Sequence, residues 1–325
     1  MKSLLIIGGS GFFGKSILDA FNRNLLSQWD IGSISIISRH ATQLDLDCFG
    51  AFKNRVQLID GDLSSITILP YADYVIHAAA STDIRRYEEN PIVESGHIIN
   101  STKNFCKLAR NFLKNSKILF ISSGAVYGKQ PENIKNISES YTDFNYIDLP
   151  LSKKSYAEAK LLSEQEIIKL GNYDIRSSIA RCFSFVGPWL PLNLHFAVGN
   201  FLLNSFKKKK IIINSKNEVI RSYMYADDLV IWLMNIIDDS QYESEFYNVG
   251  SDQPFKISEI ARKLDQIFGA ENQYNKADNN LDIYVPDTSK MKRKFRITNS
   301  YDIDSSLNET IRKIKKYQII ERFYK

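Results

Sequence analysis

Two side chains in the middle of the sequence, Tyr156 and Lys160, are spaced as a proton-transferring pair. On a helix, residues i and i+4 lie on the same face, so the phenol and the ammonium can lie side by side. A lysine ammonium lowers the pKa of a nearby phenol, which favours proton exchange with a substrate oxygen near neutral pH. Taken alone, the spacing is more typical of an ordinary exposed pair, so the assignment depends on the rest of the sequence.

A hydroxyl that could hold a substrate carbonyl comes from Ser123, in the segment 122–128 directly after the apolar run 117–121. The carboxyl ends of strands in an open α/β sheet face the ligand crevice. A serine at such an end can donate a hydrogen bond to a substrate oxygen. A polar loop with glycine at its turns is the alternative interpretation.

Three glycines, Gly8, Gly11 and Gly14, join the apolar run 4–7 to a helical pattern of apolar residues at 17, 18, 21 and 25. Glycines at this spacing permit a tight turn, let backbone N–H groups approach a pyrophosphate, and allow close packing of helix on sheet. A glycine-rich turn without a ligand is the alternative. The position between the first strand and the first helix favours a dinucleotide.

The elements that would position these residues alternate along the chain. Apolar runs at 4–7, 34–37, 56–59, 74–77 and 117–121 predict strands, and helical patterns follow at about 98–113 and 156–170. This alternation predicts an α/β fold with a doubly wound parallel sheet, the Rossmann type. We expect residues 1–180 to bind NAD(P) and 181–325 to form a smaller, mainly substrate-binding region, with about 222–250 returning to the Rossmann domain.

The composition excludes several classes of protein. Of the 325 residues, 44% are hydrophobic and 24% are charged, as in an ordinary globular chain. The formal net charge of +5 suits an anionic small ligand and is too weak to indicate nucleic acid. Cys48, Cys106 and Cys182 are too few and too far apart for a disulfide framework or a zinc site, and they fit a reducing compartment.

Membrane insertion and secretion are also disfavoured. No apolar run approaches the roughly 18 residues that a membrane-spanning helix needs. The strand-like segment 3–7 leaves no room for a signal peptide. We therefore expect a cytoplasmic protein that binds no metal, no nucleic acid and no membrane.

Together these motifs resemble the extended short-chain dehydrogenase/reductase family, which includes the sugar-nucleotide epimerases, dehydratases and reductases. The likeness runs along almost the whole chain and is strongest to nucleotide-sugar 4-ketoreductases. The matching motifs are GxxGFxG at 8–14, the acidic residue at Asp62, HxAA at 77–80, Ser-Tyr-Lys at Ser123, Tyr156 and Lys160, RxxNxxGP at 181–188, RxY…DD at 221–228 and YNxG at 247–250.

The resemblance implies a role for each matched residue. Tyr156 would be the acid/base, Ser123 would hold the substrate oxygen, and Lys160 would bind the nicotinamide ribose. Besides Tyr156 and Lys160, the implied cofactor-binding residues are Gly8, Ser10, Gly11, Phe12, Phe13, Gly14, Ser38, Arg39, Asp62, Leu63, Ala78, Ala79 and Ala80. The implied substrate-binding residues are Ser81, Thr82, Ser123, Ser184 and Arg221. Arg221 would contact the diphosphate of a nucleotide sugar, the alternative being a surface arginine paired with a nearby acid.

Departures from the family pattern favour one branch. The acid and base of the 4,6-dehydratases are replaced by Gly124 and Ala125, which cannot transfer protons. Ser38 and Arg39 replace the aspartate that usually binds the adenosine ribose of NAD, and a guanidinium suits a 2′-phosphate. A solvent-facing arginine is the alternative. Ser184 replaces the usual asparagine of RxxNxxGP, which puts the identity of the sugar in doubt.

These departures predict a net reductase that favours NADP(H), with NAD(H) possible. The expected reaction is reduction of a nucleotide-activated keto sugar, dTDP-4-dehydro-6-deoxyglucose, in surface polysaccharide (O-antigen, lipopolysaccharide) biosynthesis. An NAD-dependent nucleotide-sugar epimerase is the alternative enzyme, and a cofactor-sensing protein without catalysis is a third hypothesis. By resemblance we also expect a homodimer formed through the helices at about 98–113 and 154–170.

Overall fold

A computed structural model describes residues 1–50, 53–81, 83–194, 196–272, 274 and 278–322. The strands are β1 (Lys2–Ile7), β2 (Ile31–Ser38), β3 (Val56–Asp60), β4 (Tyr74–His77), β5 (Lys117–Ser123), β6 (Arg176–Cys182), β7 (Phe185–Val186), β8 (Asn217–Arg221), β9 (Met224–Tyr225), β10 (Glu245–Val249), β11 (Phe255–Lys256) and β12 (Asp278–Tyr284). The α-helices are α1 (Phe12–Asn22), α2 (Ile84–Glu89), α3 (Pro91–Phe112), α4 (Leu151–Ile168), α5 (Ala197–Phe206), α6 (Ala226–Asp238), α7 (Ile257–Phe268), α8 (Ser289–Phe295), α9 (Ile303–Lys316) and α10 (Ile319–Arg322).

The central sheet has seven strands in the order β10-β6-β5-β4-β1-β2-β3. All neighbouring strands in it are parallel. The chain winds outward from β1 in one direction to β3, then crosses back through β4 to the other edge. The predicted doubly wound parallel sheet is therefore confirmed.

The four apolar residues of β1 show why this sheet is buried on both faces. Leu4 and Ile6 join the core on one side of the sheet, and Leu5 and Ile7 join the core on the other. Side chains alternate along a strand, so a parallel strand covered by helices on both faces is apolar at every position. Helices α1 and α6 cover the first face, and α3 and α4 cover the second.

The C-terminal half contributes a second, smaller layer. Strands β11, β8 and β12 form a three-stranded sheet. Helices α5, α7 and α9 supply its apolar core, with Leu202, Leu264 and Leu307 fully buried. Between β8 and β12 the chain returns to the central sheet, where β10 pairs with β6.

Two helices begin earlier than their sequence patterns predict. Helix α3 starts at Pro91 instead of about 98, since a proline suits the first position of a helix. Helix α4 starts at Leu151 instead of about 156. Helix α1 ends at Asn22, so Leu25, predicted as part of its apolar face, lies beyond it and packs on the core from a turn.

The three cysteines, one half-buried and two buried, form no disulfide bond with one another. Across the part of the chain that the structure describes, none of the helices is both long and apolar enough to cross a membrane. Within those same residues, no cluster of three or more His, Cys, Asp or Glu side chains is placed to hold a metal ion.

Candidate cofactor and substrate cavity

One large cavity, of about 1040 Å³, opens at the carboxyl ends of the central strands and extends under the C-terminal region. Ligands of open α/β sheets bind at this edge. The predicted site residues that line the cavity are Gly8, Ser10, Gly11, Phe12, Phe13, Ser38, Arg39, Asp62, Leu63, Ala78, Ala79, Ala80, Ser81, Ser123, Tyr156, Lys160, Ser184 and Arg221. Gly14 lies behind the lining, and Thr82 lies outside the described residues.

The glycine loop forms a cradle that larger residues would fill. Gly8 has a φ of +82°, and a Cβ there would lie 2.7 Å from the backbone of Ala79. A Cβ on Gly14 would overlap the backbone of Gly9, so the first turn of α1 packs directly on the loop. Helix α1 starts at Phe12, and its N-terminal N–H groups therefore point towards the cavity. This geometry fits the pyrophosphate of a dinucleotide.

The end of the cavity beside β2 holds a cation and one carboxylate. Arg39 lines this end, and the buried Ser38 hydroxyl has no hydrogen-bond partner among the residues that the structure describes. Asp62 is the one acid among the described lining residues there, and hydrogen bonds from Ser64 lower the pKa of its carboxyl. The unpartnered hydroxyl and the arginine fit the ribose end of a dinucleotide.

The three residues predicted to be catalytic meet at the carboxyl end of β5. Ser123 is its last residue, and its hydroxyl and the Tyr156 phenol of α4 both line the cavity there. Burial raises the pKa of Tyr156 to about 12, although the nearby Ser123 hydroxyl lowers it. The sequence led us to expect that a lysine ammonium lowers the pKa of this phenol. In the protein alone, removal of the phenol from water has the larger effect and raises that pKa.

Lys160 lines the cavity and also contacts β5 of the central sheet. Its ammonium donates a hydrogen bond to the carbonyl oxygen of Ile121 at 2.8 Å and lies 4.9 Å from the centre of the Phe120 ring. Burial lowers the pKa of Lys160 to about 8, opposed by Cys182 and Glu164. The side chain is therefore mostly an ammonium at neutral pH.

The two positions after Ser123 carry no acid or base. A Cβ on Gly124 would lie 2.6 Å from the ring of Phe183, so any larger side chain at this position would displace that ring. Ala125 lines the cavity with a methyl group only. Phe183 is itself held by Tyr284, with ring centres 4.5 Å apart. Positions 124 and 125 thus carry no acidic side chain that could serve in an elimination of water.

The sequence suggested either a ligand-binding arginine or one paired with a nearby acid, and Arg221 has the position of both. It lines the cavity, and its guanidinium also donates to the Asp282 carboxylate at 3.0 Å and to the Asp282 carbonyl at 2.5 Å. A diphosphate could reach the cation on the side that faces the cavity. Ser184, at the position of the usual asparagine, lines the same half of the cavity.

Sequence reasoning missed the two polar lining residues on β12, Asp282 and Tyr284. The Tyr284 hydroxyl lies 3.5 Å from that of Ser123 and donates to the carbonyl oxygen of Cys182 at 3.3 Å. Burial raises the pKa of Tyr284 well above its usual range, so this phenol stays neutral. No motif marks either residue, because β12 is neither apolar nor glycine-flanked.

Known proteins are similar over nearly the whole chain. UDP-glucuronic acid decarboxylase 1 of Xenopus tropicalis is 24% identical over 97% of this chain and 72% of its own length. The structure of UDP-glucose 4-epimerase of Thermotoga maritima with UDP-glucose has a TM-score of 0.78 and 17% identity, covering 97% of this chain and 99% of that one. MoeE5 in complex with UDP-glucose and NAD has a TM-score of 0.77 and 16% identity, covering 97% and 99% of the two chains.

These relatives do not single out the 4-ketoreductases to which the sequence was likened, since their names include decarboxylases and epimerases. The family itself is shown by a broader match. The model of the NAD dependent epimerase/dehydratase family matches residues 4–250. The chain belongs to the NAD dependent epimerase/dehydratase family.

Proposed function

We propose that this protein is an NAD(P)H-dependent reductase that acts on the keto group of a nucleotide-activated sugar. The observation that carries the proposal is the meeting of Ser123, Tyr156 and Lys160 in a cavity that continues from the glycine loop. The substrate we propose is dTDP-4-dehydro-6-deoxyglucose, on a route to surface polysaccharide such as O-antigen. The absence of acids at 124 and 125 argues against dehydration.

Each side chain has one task in this reaction. Ser123 donates a hydrogen bond to the keto oxygen, which orients the carbonyl carbon. When bound, the reduced nicotinamide supplies the hydride. As the C=O electron pair moves to oxygen, Tyr156 gives its proton to that oxygen, and the product is an alcohol. A phenol with a pKa of about 12 is protonated at neutral pH, the state that a proton donor requires.

The remaining lining residues divide between the two ligands. We assign the pyrophosphate to residues 8–14, the adenosine to Ser38, Arg39, Asp62 and Leu63, and the nicotinamide half to residues 78–80 with Lys160. The substrate would contact Ser81, Thr82, Ser184 and Arg221. We also propose an NAD(P)-binding Rossmann domain at 1–180 and a mainly substrate-binding region at 181–325, with about 222–250 in the former. Ser81 and Thr82 are substrate-binding positions within the Rossmann domain.

An NAD-dependent nucleotide-sugar epimerase is the second candidate. It is supported by the UDP-glucose 4-epimerase among the similar structures and by the NAD in MoeE5. An epimerase would keep its cofactor and recycle it within one turnover, whereas a net reductase consumes it. Protein purified with tightly bound NAD would favour this candidate.

The two candidates are separated by one assay. The protein is mixed with dTDP-4-dehydro-6-deoxyglucose and either NADPH or NADH, and absorbance of the reduced nicotinamide is followed. Consumption of either cofactor with formation of an alcohol supports the reductase. A rearranged sugar without consumption supports the epimerase. Unchanged sugar and cofactor would contradict this choice of substrate.

The cofactor preference gives a prediction at Arg39. Arg39→Ala is expected to weaken NADPH binding about 10- to 100-fold and NADH binding only slightly, because a charge-assisted hydrogen bond to the 2′-phosphate is worth roughly 1.5–3 kcal/mol. Fluorescence titration of both cofactors measures this. Arg39→Lys, which keeps the charge but loses the planar fork, should fall between. Equal losses for NADH and NADPH in Arg39→Ala would contradict the assignment.

We also propose a homodimer formed through α3 and α4. Both helices expose apolar side chains, among them Ile92 and Val93 on α3 and Leu151 and Leu162 on α4. Pairing two copies of this face would cover them. Light scattering should give twice the 37.3 kDa of one chain, and the mass of a single chain would contradict the proposal. We propose a cytoplasmic location as well, because the cytoplasm supplies the reduced cofactor that the proposed reductase consumes.

A further inference from the structure

A buried ion pair lies one helical turn behind Lys160. On α4, Tyr156, Lys160 and Glu164 are spaced four residues apart and share one face of the helix. The guanidinium of Arg181, on β6, donates to the two carboxylate oxygens of Glu164 at 2.7 and 3.1 Å. Glu164 is 1% exposed and Arg181 is 5% exposed. Placing two charges out of water costs free energy, so their position beside the catalytic residues calls for a reason.

Each of these three α4 residues lies next to one of the last three residues of β5, and two of them form a hydrogen bond there. Lys160 donates to the Ile121 carbonyl at 2.8 Å. Ser122 donates its hydroxyl proton to Glu164 at 2.5 Å. The Ser123 hydroxyl lies near enough to Tyr156 to lower the pKa of its phenol. Three consecutive strand residues thus lie against one face of one helix. The middle one, Ser122, is held by its hydrogen bond to Glu164.

Glu164 is also the anion that acts on Lys160. The other titratable groups around the ammonium are His77 on β4, Cys182 on β6 and Tyr156 on α4. Burial lowers the pKa of His77 to about 3, and it raises the pKa of both Cys182 and Tyr156 above their usual values. All three are therefore uncharged at neutral pH. Glu164 is the carboxylate that raises the pKa of Lys160 against the effect of burial, and the Arg181 guanidinium paired with it is the other charged group beside it.

We propose that Glu164 is a positioning residue of the reaction, which fixes the end of β5 against α4 and holds the Lys160 side chain in its charged form. The proposal rests on the roles proposed above for Ser123, Tyr156 and Lys160. By tying Ser122, Glu164 keeps the Ser123 and Tyr156 hydroxyls directed at one substrate oxygen. By its charge, it keeps Lys160 able to donate to a cofactor ribose.

The charge is tested by Glu164→Gln, which keeps an oxygen for Ser122 and removes the negative charge. The Lys160 ammonium is titrated by NMR with lysine labelled at the ε carbon, and Lys160→Met assigns the signal. The pKa of Lys160 is expected to fall by about one unit or more, because an opposite charge nearby favours the ammonium. An unchanged titration in folded Glu164→Gln overturns this half of the proposal. The measurement needs no substrate, so its result does not depend on the proposed reaction.

A matched control is Asp227→Asn, which removes the charge of a buried carboxylate paired with Arg23 and Lys313. Asp227 lies on α6, on the opposite face of the central sheet from α4. This variant should lose stability in the same way and leave the titration of Lys160 unchanged. A shift in Asp227→Asn equal to that in Glu164→Gln would mean that general loosening, and not the charge of Glu164, moves Lys160.

The positioning is tested by Ser122→Ala and by Glu164→Asp, both of which keep the negative charge. Each should lower kcat about tenfold with little change in KM, because a small misplacement of reacting groups is costly. Lys160 should titrate as in the wild type in both. Wild-type kcat in both variants overturns the positioning role. These two variants also keep the proposal testable if Glu164→Gln does not fold.

Discussion

Tyr156→Phe is expected to lower kcat for reduction of the keto sugar about 10³-fold, within the range that general acid catalysis contributes. The variant keeps the ring, which packs edge-to-face on Tyr87 at 5.5 Å between ring centres, and loses only the proton donor. NADPH binding, followed by fluorescence, should remain within about twofold, since the lost hydroxyl is one contact among many in the cavity. Consumption of NADPH with dTDP-4-dehydro-6-deoxyglucose measures the loss.

Tyr284→Phe is the matched control, because it removes the other phenol that touches Ser123. At 3.5 Å, the hydrogen bond between Tyr284 and Ser123 is long, and its loss should cost at most about 1 kcal/mol, or about fivefold in rate. A greater loss in Tyr284→Phe than in Tyr156→Phe would reassign the proton donor to β12. Comparable losses in both would show that the two phenols act as one unit.

The central sheet could be predicted because its strands are buried on both faces. Strand β1 is apolar at each of its last four positions, and such a run needs no knowledge of its neighbours to be read. Helix α4 is different, since its buried face includes Ser152, Ser155, Lys160 and Glu164. A polar buried face hides the helical periodicity, so the start of α4 was misplaced while its Tyr–Lys motif was still found.

The small sheet and its contribution to the cavity could not be predicted from local patterns. Strand β12 alternates polar and apolar residues irregularly, and its pairing with β8 joins segments more than fifty residues apart. Tyr284 meets Ser123 across 161 residues of sequence. Contacts at this separation depend on how the whole chain closes, and only the folded structure shows them.

Gly14→Ala is expected to weaken binding of both NADPH and NADH about 100-fold or more, which corresponds to about 2.7 kcal/mol. An added Cβ would overlap the backbone of Gly9, so α1 and the glycine loop would have to separate. The separation would move the N–H groups of the loop away from the pyrophosphate. Forcing extra volume into packed structure should also lower the unfolding free energy by about 1–3 kcal/mol. Fluorescence titration and thermal unfolding measure the two effects.

Gly96→Ala provides the matched control on α3, where a Cβ would meet nothing within 4 Å. It should leave cofactor affinity unchanged and stabilise the helix slightly, since alanine is the better helix former. Comparing Gly14→Ala with Gly96→Ala distinguishes the effect of crowding in the glycine loop from the general effect of adding a methyl group to a helix. If folded Gly14→Ala bound NADPH as tightly as the wild type, residues 8–14 would not hold the pyrophosphate. The dinucleotide would then have to lie elsewhere in the cavity, and the proposed transfer of hydride to a carbonyl carbon beside Tyr156 would lose its basis.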